Sequence, residues 1–131
     1  MTLIDSTIRR ELVRVLKEYP EILFAILYGS AVEVGHPHDL DIGLYVDRAR
    51  LLPIADLDYA FALAEELERK LPYLVDVRII NESPLGFRYN VSQGQPLLVN
   101  DQAAFFQFLE RTWDEWFDFE PVAMQYIREL R

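Results

Sequence analysis

The chain has 131 residues, no cysteine, and 22 acidic against 13 basic residues for a formal charge of −9. That length suits a single domain spanning 1–131, and an apolar fraction of 51% argues against disorder. The missing cysteines exclude disulfides, thiol nucleophiles and cysteine-based zinc sites. The acidity excludes a general electrostatic grip on nucleic acid, but suits a basic protein partner or a phosphate ligand held through metal ions.

Asp5 or Ser6 can cap a first helix, in which Ile8, Leu12, Val15 and Leu16 fall near a 3.6-residue period. Pro20 ends it. Ile22 to Tyr28 is an uncharged apolar run and is predicted to be a strand buried on both faces. Gly29-Ser30 breaks that run, and a polar stretch follows to His38. A second strand is expected over Leu40–Val46, with Leu40, Ile42, Leu44 and Val46 on one face. Asp39, Asp41, Gly43 and Tyr45 take the other face.

A helix is expected from Asp56 to Leu71, with Leu57, Ala60, Phe61, Ala64, Leu67 and Leu71 as its apolar stripe and Pro72 as its stop. Tyr73–Ile80 alternates as a strand that sets Asp76 and Arg78 opposite Val75, Val77 and Ile79. A short helical piece over Phe87–Ser92 ends at Gly94, and Pro96–Val99 reads as an edge strand. Asn100 or Asp101 caps a final helical region that Pro121 is expected to divide in two. Its aromatic residues Phe105, Phe106, Phe108, Trp113, Trp116, Phe117 and Phe119 are expected to be mostly core, with some left for a partner. The order points to an α+β (mixed α/β) domain built on one small sheet flanked by helices. No apolar run is long enough to cross a bilayer and no signal segment is visible at the start, so a cytoplasmic location is expected.

The chemistry concentrates at the ends of three strands. Asp39 and Asp41 stand two residues apart, so both carboxylates leave one face. At about 4 Å and an effective dielectric of ~20 their repulsion is on the order of 4 kcal/mol, which a divalent cation can offset. Oxygen ligands without cysteine suit Mg²⁺ or Mn²⁺. Asp76 joins them if its strand neighbours theirs. Gly29 lets backbone N–H groups approach phosphate, Ser30 adds a hydroxyl donor, and Gly43 leaves room for a ligand against the strand. Each piece has a plain structural alternative. Asp-x-Asp is commonly a solvated strand face, Gly-Ser is an ordinary turn, and Arg78 can simply pair with Asp76. The ordered combination is the specific signal.

Leu27-Tyr28-Gly29-Ser30 followed by Asp39-Leu40-Asp41-Ile42-Gly43-Leu44 resembles the signature of polymerase-beta-type nucleotidyltransferases. Within them the chain is most similar to the minimal nucleotidyltransferase (MNT) antitoxins. Leu74-Val75-Asp76-Val77, the stretch from Pro84 to Val99, Asp118-Phe119-Glu120-Pro121 and Tyr126 extend the likeness over nearly the whole chain. The resemblance implies a nucleotidyltransferase fold and an enzyme that moves AMP from ATP to a tyrosine hydroxyl of a HEPN-family toxin, in a hetero-oligomer and with Mg²⁺. It implies that Gly29 and Ser30 hold the triphosphate and that Asp39, Asp41 and Asp76 bind metal. Asp76 is also implied to take the proton. Two features depart from the family. The Ser-to-Asp loop, Ala31 to His38, is short at eight residues, and Val32, Glu33 and Val34 stand where relatives carry Arg-Gly. His36, His38 or Arg78 are the cations available to compensate. A binding-only antitoxin that masks its toxin, and a nucleotidyltransferase acting on a small molecule, are the competing readings.

Overall fold

The computed structural model describes residues 6–29 and 39–130. Ser30, Glu33, His36 and His38 lie outside the described residues. Along the chain run α1 (Ser6–Leu16), β1 (Ile22–Tyr28), β2 (Asp39–Val46), a 3₁₀ turn at Pro53–Ala55, α2 (Asp56–Lys70) and β3 (Leu74–Ile79). They are followed by α3 (Leu85–Ser92), β4 (Gln95–Val99) and α4 (Gln102–Glu129).

The four described strands form one mixed sheet in the order β3-β2-β1-β4. β1 pairs antiparallel with both β2 and β4, and β2 pairs parallel with β3. The apolar run of β1 is explained by that central place. Ala25 and Leu27 enter a core beneath α1 and α2, whereas Phe24, Ile26 and Tyr28 enter a second core beneath α3 and α4. A strand covered on both faces has no use for alternation. β2 does alternate, and its Leu40, Ile42, Leu44 and Val46 are all buried in the first core.

Three side-chain devices fix the elements around the sheet. Asn81 extends the ladder past β3, accepting from the Val46 N–H at 2.9 Å and donating to the Val46 carbonyl at 2.8 Å. Asp101 caps α4 by accepting from the Ala104 N–H at 3.0 Å. Arg88, buried on α3, donates to Thr112 and Glu115 of α4 and so ties the two helices together. Gly94 sits so close to β1 that a Cβ would lie 2.2 Å from the Leu27 carbonyl oxygen, so only glycine lets β4 start there.

Four expectations need correction. The buried stripe of α2 is Ala60, Leu63, Ala64 and Leu67, with Leu71 just after it; Leu57 and Phe61 are exposed. Both lie beside the outer edge of β3, where the described sheet has no further strand to cover them. α4 runs through Pro121 without a break. One interior proline costs about 3 kcal/mol, and the helix-forming residues on either side keep their own bonds. Of the seven C-terminal aromatics only Phe105 and Phe108 are buried; Phe106 and Trp113 are exposed beside the buried Phe105 and Thr112, on the outward side of α4, and Phe117 and Phe119 are exposed beyond Thr112, the last buried residue of that helix. Trp116 is half-buried, stacked on Tyr89 at 4.3 Å. Gly43 leaves no ligand space, since a Cβ there would meet Val91 at 3.0 Å and Ile80 at 3.1 Å. The small residue lets α3 close onto the sheet. The chain ends of several elements also move by a residue or two: β2 begins at Asp39, α3 at Leu85 and β4 at Gln95.

Candidate active site

The site grows from strand register. Asp41 of β2 is paired with Tyr28 of β1 on one side and with Asp76 of β3 on the other. Neighbouring strands lie about 4.8 Å apart, and paired residues present their side chains on one face. β3 is thus a direct neighbour of β2, and Asp39, Asp41 and Asp76 leave the sheet on the side of α3. Asp39 and Asp76 are exposed, while Asp41 is half-buried.

Gly29 closes the arrangement from the end of β1. Its φ of +81° is a left-handed conformation that side chains rarely adopt, and a Cβ there would lie 2.6 Å from Asp41 Oδ2. The turn after β1 is therefore pressed against the carboxylate of the Asp-x-Asp pair.

Electrostatics report the crowding. Burial pushes the Asp41 carboxyl above its ordinary value, and the charges of Asp76 and Asp39 push it further, with Arg78 partly offsetting them. The neighbouring Tyr28 phenol is pushed up to about 12, first by burial and then by Asp41 and Asp76. Tyr28 therefore stays neutral against the acids, with its ring edge-on to Phe87 at 5.7 Å. Sequence reading gave Tyr28 no role of its own. Its place two residues on from Ile26 on the inner face of β1 was the available signal.

Arg78 Nε donates to Asp76 Oδ2 at 3.1 Å, and its guanidinium lies 5.6 Å from the centre of the Phe87 ring. The plain salt bridge is thus the observed arrangement. Among the described residues no three His, Asp or Glu side chains already form a metal cage. The register brings Asp41 and Asp76 side by side, but the Asp76 carboxylate is turned to Arg78. The donor set still fits a hard divalent cation: three carboxylates on one face, one of them with its charge disfavoured by the other two.

Residues 10–103 match the family model described as Polymerase beta, Nucleotidyltransferase. The chain belongs to the polymerase beta nucleotidyltransferase family. No curated protein matches this nucleotidyltransferase in sequence. Solved structures match its fold over nearly all of its length. A chain of the toxin–antitoxin MntA–HepT crystal structure is 19% identical with a TM-score of 0.69, covering 96% of this chain and 98% of that one. A chain of the complex of tri-AMPylated Shewanella oneidensis HEPN toxin with MNT antitoxin is 19% identical, TM-score 0.71, over 97% and 98%. A toxin–antitoxin structure with AMP-PNP matches at 20% identity and a TM-score of 0.71, over 93% and 97%. At these identities the likeness speaks for the nucleotidyltransferase fold. No described helix is long and apolar enough to cross a membrane.

Proposed function

We propose that this nucleotidyltransferase transfers AMP from ATP to a tyrosine hydroxyl of a partner HEPN-family toxin and thereby neutralises it. The observation that carries the reading is the register that pairs Asp41 with Asp76 beside Gly29. The AMP-PNP complex and the tri-AMPylated toxin complex among the fold neighbours support the same chemistry.

Gly29 and Ser30 hold the triphosphate through backbone N–H groups and the serine hydroxyl. Asp39, Asp41 and Asp76 would hold Mg²⁺ or Mn²⁺. A divalent cation there would offset the carboxylate repulsion and draw charge from the phosphate oxygens. Asp76, released from Arg78, takes the proton of the acceptor hydroxyl. The hydroxyl oxygen bonds to the α-phosphorus as the bond to the departing pyrophosphate breaks. Arg78, freed in the same motion, is a cation available to the phosphates. Tyr28 stays protonated and keeps a neutral, apolar wall behind Asp41.

Incubating the chain with ATP, Mg²⁺ and a candidate HEPN-family partner protein tests the reading, with intact mass spectrometry as the readout. The expected result is partner mass increased by whole AMP units, abolished by chelation. Neutralisation of the toxin without any mass change supports the second reading, masking by binding alone. The Asp76–Arg78 ion pair is the observation that favours that alternative.

A further inference from the structure

Among the described residues β3 is an edge strand, with no further strand on its outer side. The Ile80 N–H points inward to the Leu44 carbonyl at 2.9 Å, whereas the Val75 N–H points outward to Glu68 at 2.8 Å. Strand alternation therefore turns the N–H and C=O of Val77 and Ile79 outward. They face a groove of about 650 Å³ that runs along the edge, walled by Leu57 and Phe61 of α2 on one side and by Phe87 of α3 on the other. Leu57 is 72% exposed and Phe61 64% exposed. Asp76 and Arg78 line the same groove.

We propose that this groove is the acceptor-docking site: an extended, basic segment of the partner adds as a strand along β3 and delivers its hydroxyl to Asp76. The proposal rests on the AMP-transfer reading and adds to it where and how the acceptor lies. An added strand satisfies the outer backbone groups of Val77 and Ile79. Its side chains alternate between the two walls. A residue pointing to the α3 side arrives beside Asp76, and its two immediate neighbours point to Leu57 and Phe61. The acceptor tyrosine is thus flanked on both sides by apolar residues.

Charge selects the occupant. Asp56 and Glu82 pair with Arg48, and Asp76 pairs with Arg78, so this edge carries one net negative charge within a chain that carries −9. A second copy of this chain would bring the same excess of negative charge to the groove, whereas a basic segment is attracted.

Phe61→Lys removes one wall and places a like charge against a basic segment. Because Phe61 is exposed, the variant should fold as wild type. With the acceptor protein of the mass-spectrometric test, KM for that protein should rise about tenfold or more, as for loss of an interface anchor, with kcat and ATP binding little changed. Phe61→Leu should restore most of the affinity. Hydrogen exchange on the complex should show the amides of Val77 and Ile79 newly protected. Transfer by Phe61→Lys at the wild-type KM, or unchanged exchange at Val77 and Ile79 in a complex that does transfer AMP, overturns the proposal. So does a change of self-association in Phe61→Lys with transfer unaffected, which would make the edge a contact between copies. If wild type transfers no AMP at all, the AMP-transfer reading itself fails and the docking proposal falls with it.

Discussion

Gly29 carries two constraints at one atom. The left-handed φ of +81° disfavours any side chain, and the absent Cβ is what leaves Asp41 its place. Gly29→Val should therefore act in both ways. It should lower stability by about 1–3 kcal/mol through backbone strain, and it should abolish ATP binding by driving Asp41 out of position. Thermal melts read the first effect and calorimetry with ATP and Mg²⁺ the second. Wild-type ATP affinity in a folded Gly29→Val protein would show that this turn is structural only. Asp41 makes the complementary point. Its carboxyl is disfavoured in the charged form by burial and by Asp76 and Asp39, as expected of a group placed for a cation rather than for its own contribution to the fold.

Among the elements, α2 is joined to the turn after α1 by a pair of tyrosines. Tyr19 donates to Glu66, Tyr59 donates to Glu21 at 3.2 Å, and the two rings meet edge-on at 5.8 Å. Burial, then the Glu66 hydrogen bond, pushes the Tyr19 phenol up to about 12; burial and Glu21 push Tyr59 higher. Unfolded tyrosine ionises near pH 10. A folded-state value above that keeps its stabilising contribution below pH 10 and loses it as pH climbs through the folded value. Urea midpoints should thus hold up to about pH 10 and decline from there towards 12, with a shallower decline in Tyr19→Phe. An alkaline decline of the same steepness in Tyr19→Phe would place its cause elsewhere.

Most of the elements were legible in the sequence, because each announces itself locally. The continuous apolar run at Ile22–Tyr28, the alternation of β2 and β3, and the cap at Asp101 all fall where expected. What local pattern cannot carry is the position of an element relative to the sheet edge. Leu57 and Phe61 have helical spacing with the core residues of α2, yet they overhang β3. Most of the α4 aromatics likewise read as core, although only Phe105 and Phe108 face it and no residue of the helix is buried after Thr112. The candidate site shows the same division. Asp39 and Asp41 share a face by spacing alone, but the meeting with Asp76 depended on which strand lies beside β2. The filling of the space at Gly43 is not legible in the sequence, because a glycine on a strand gives no sign of whether a ligand or Val91 occupies it.

At the scale of the molecule, an acidic chain gathers three of its acids on one sheet face and, among the described residues, leaves the adjoining edge strand without a further strand beside it. Neither feature serves the fold. Like charges side by side destabilise it, and an open apolar edge invites association. Both are accounted for if the face works on a nucleotide and the edge receives the protein to be modified. Asp76 is an exposed carboxylate, so its change to the isosteric amide should leave stability within about 0.5 kcal/mol of wild type and leave the partner bound. The most direct measurement is the rate of AMP addition to the partner by Asp76→Asn relative to wild type, followed by intact mass in excess ATP and Mg²⁺. The account predicts a folded, partner-bound variant slowed by about 10²–10⁴-fold, the usual loss on removing a general base. A variant that transfers AMP as fast as wild type would contradict it.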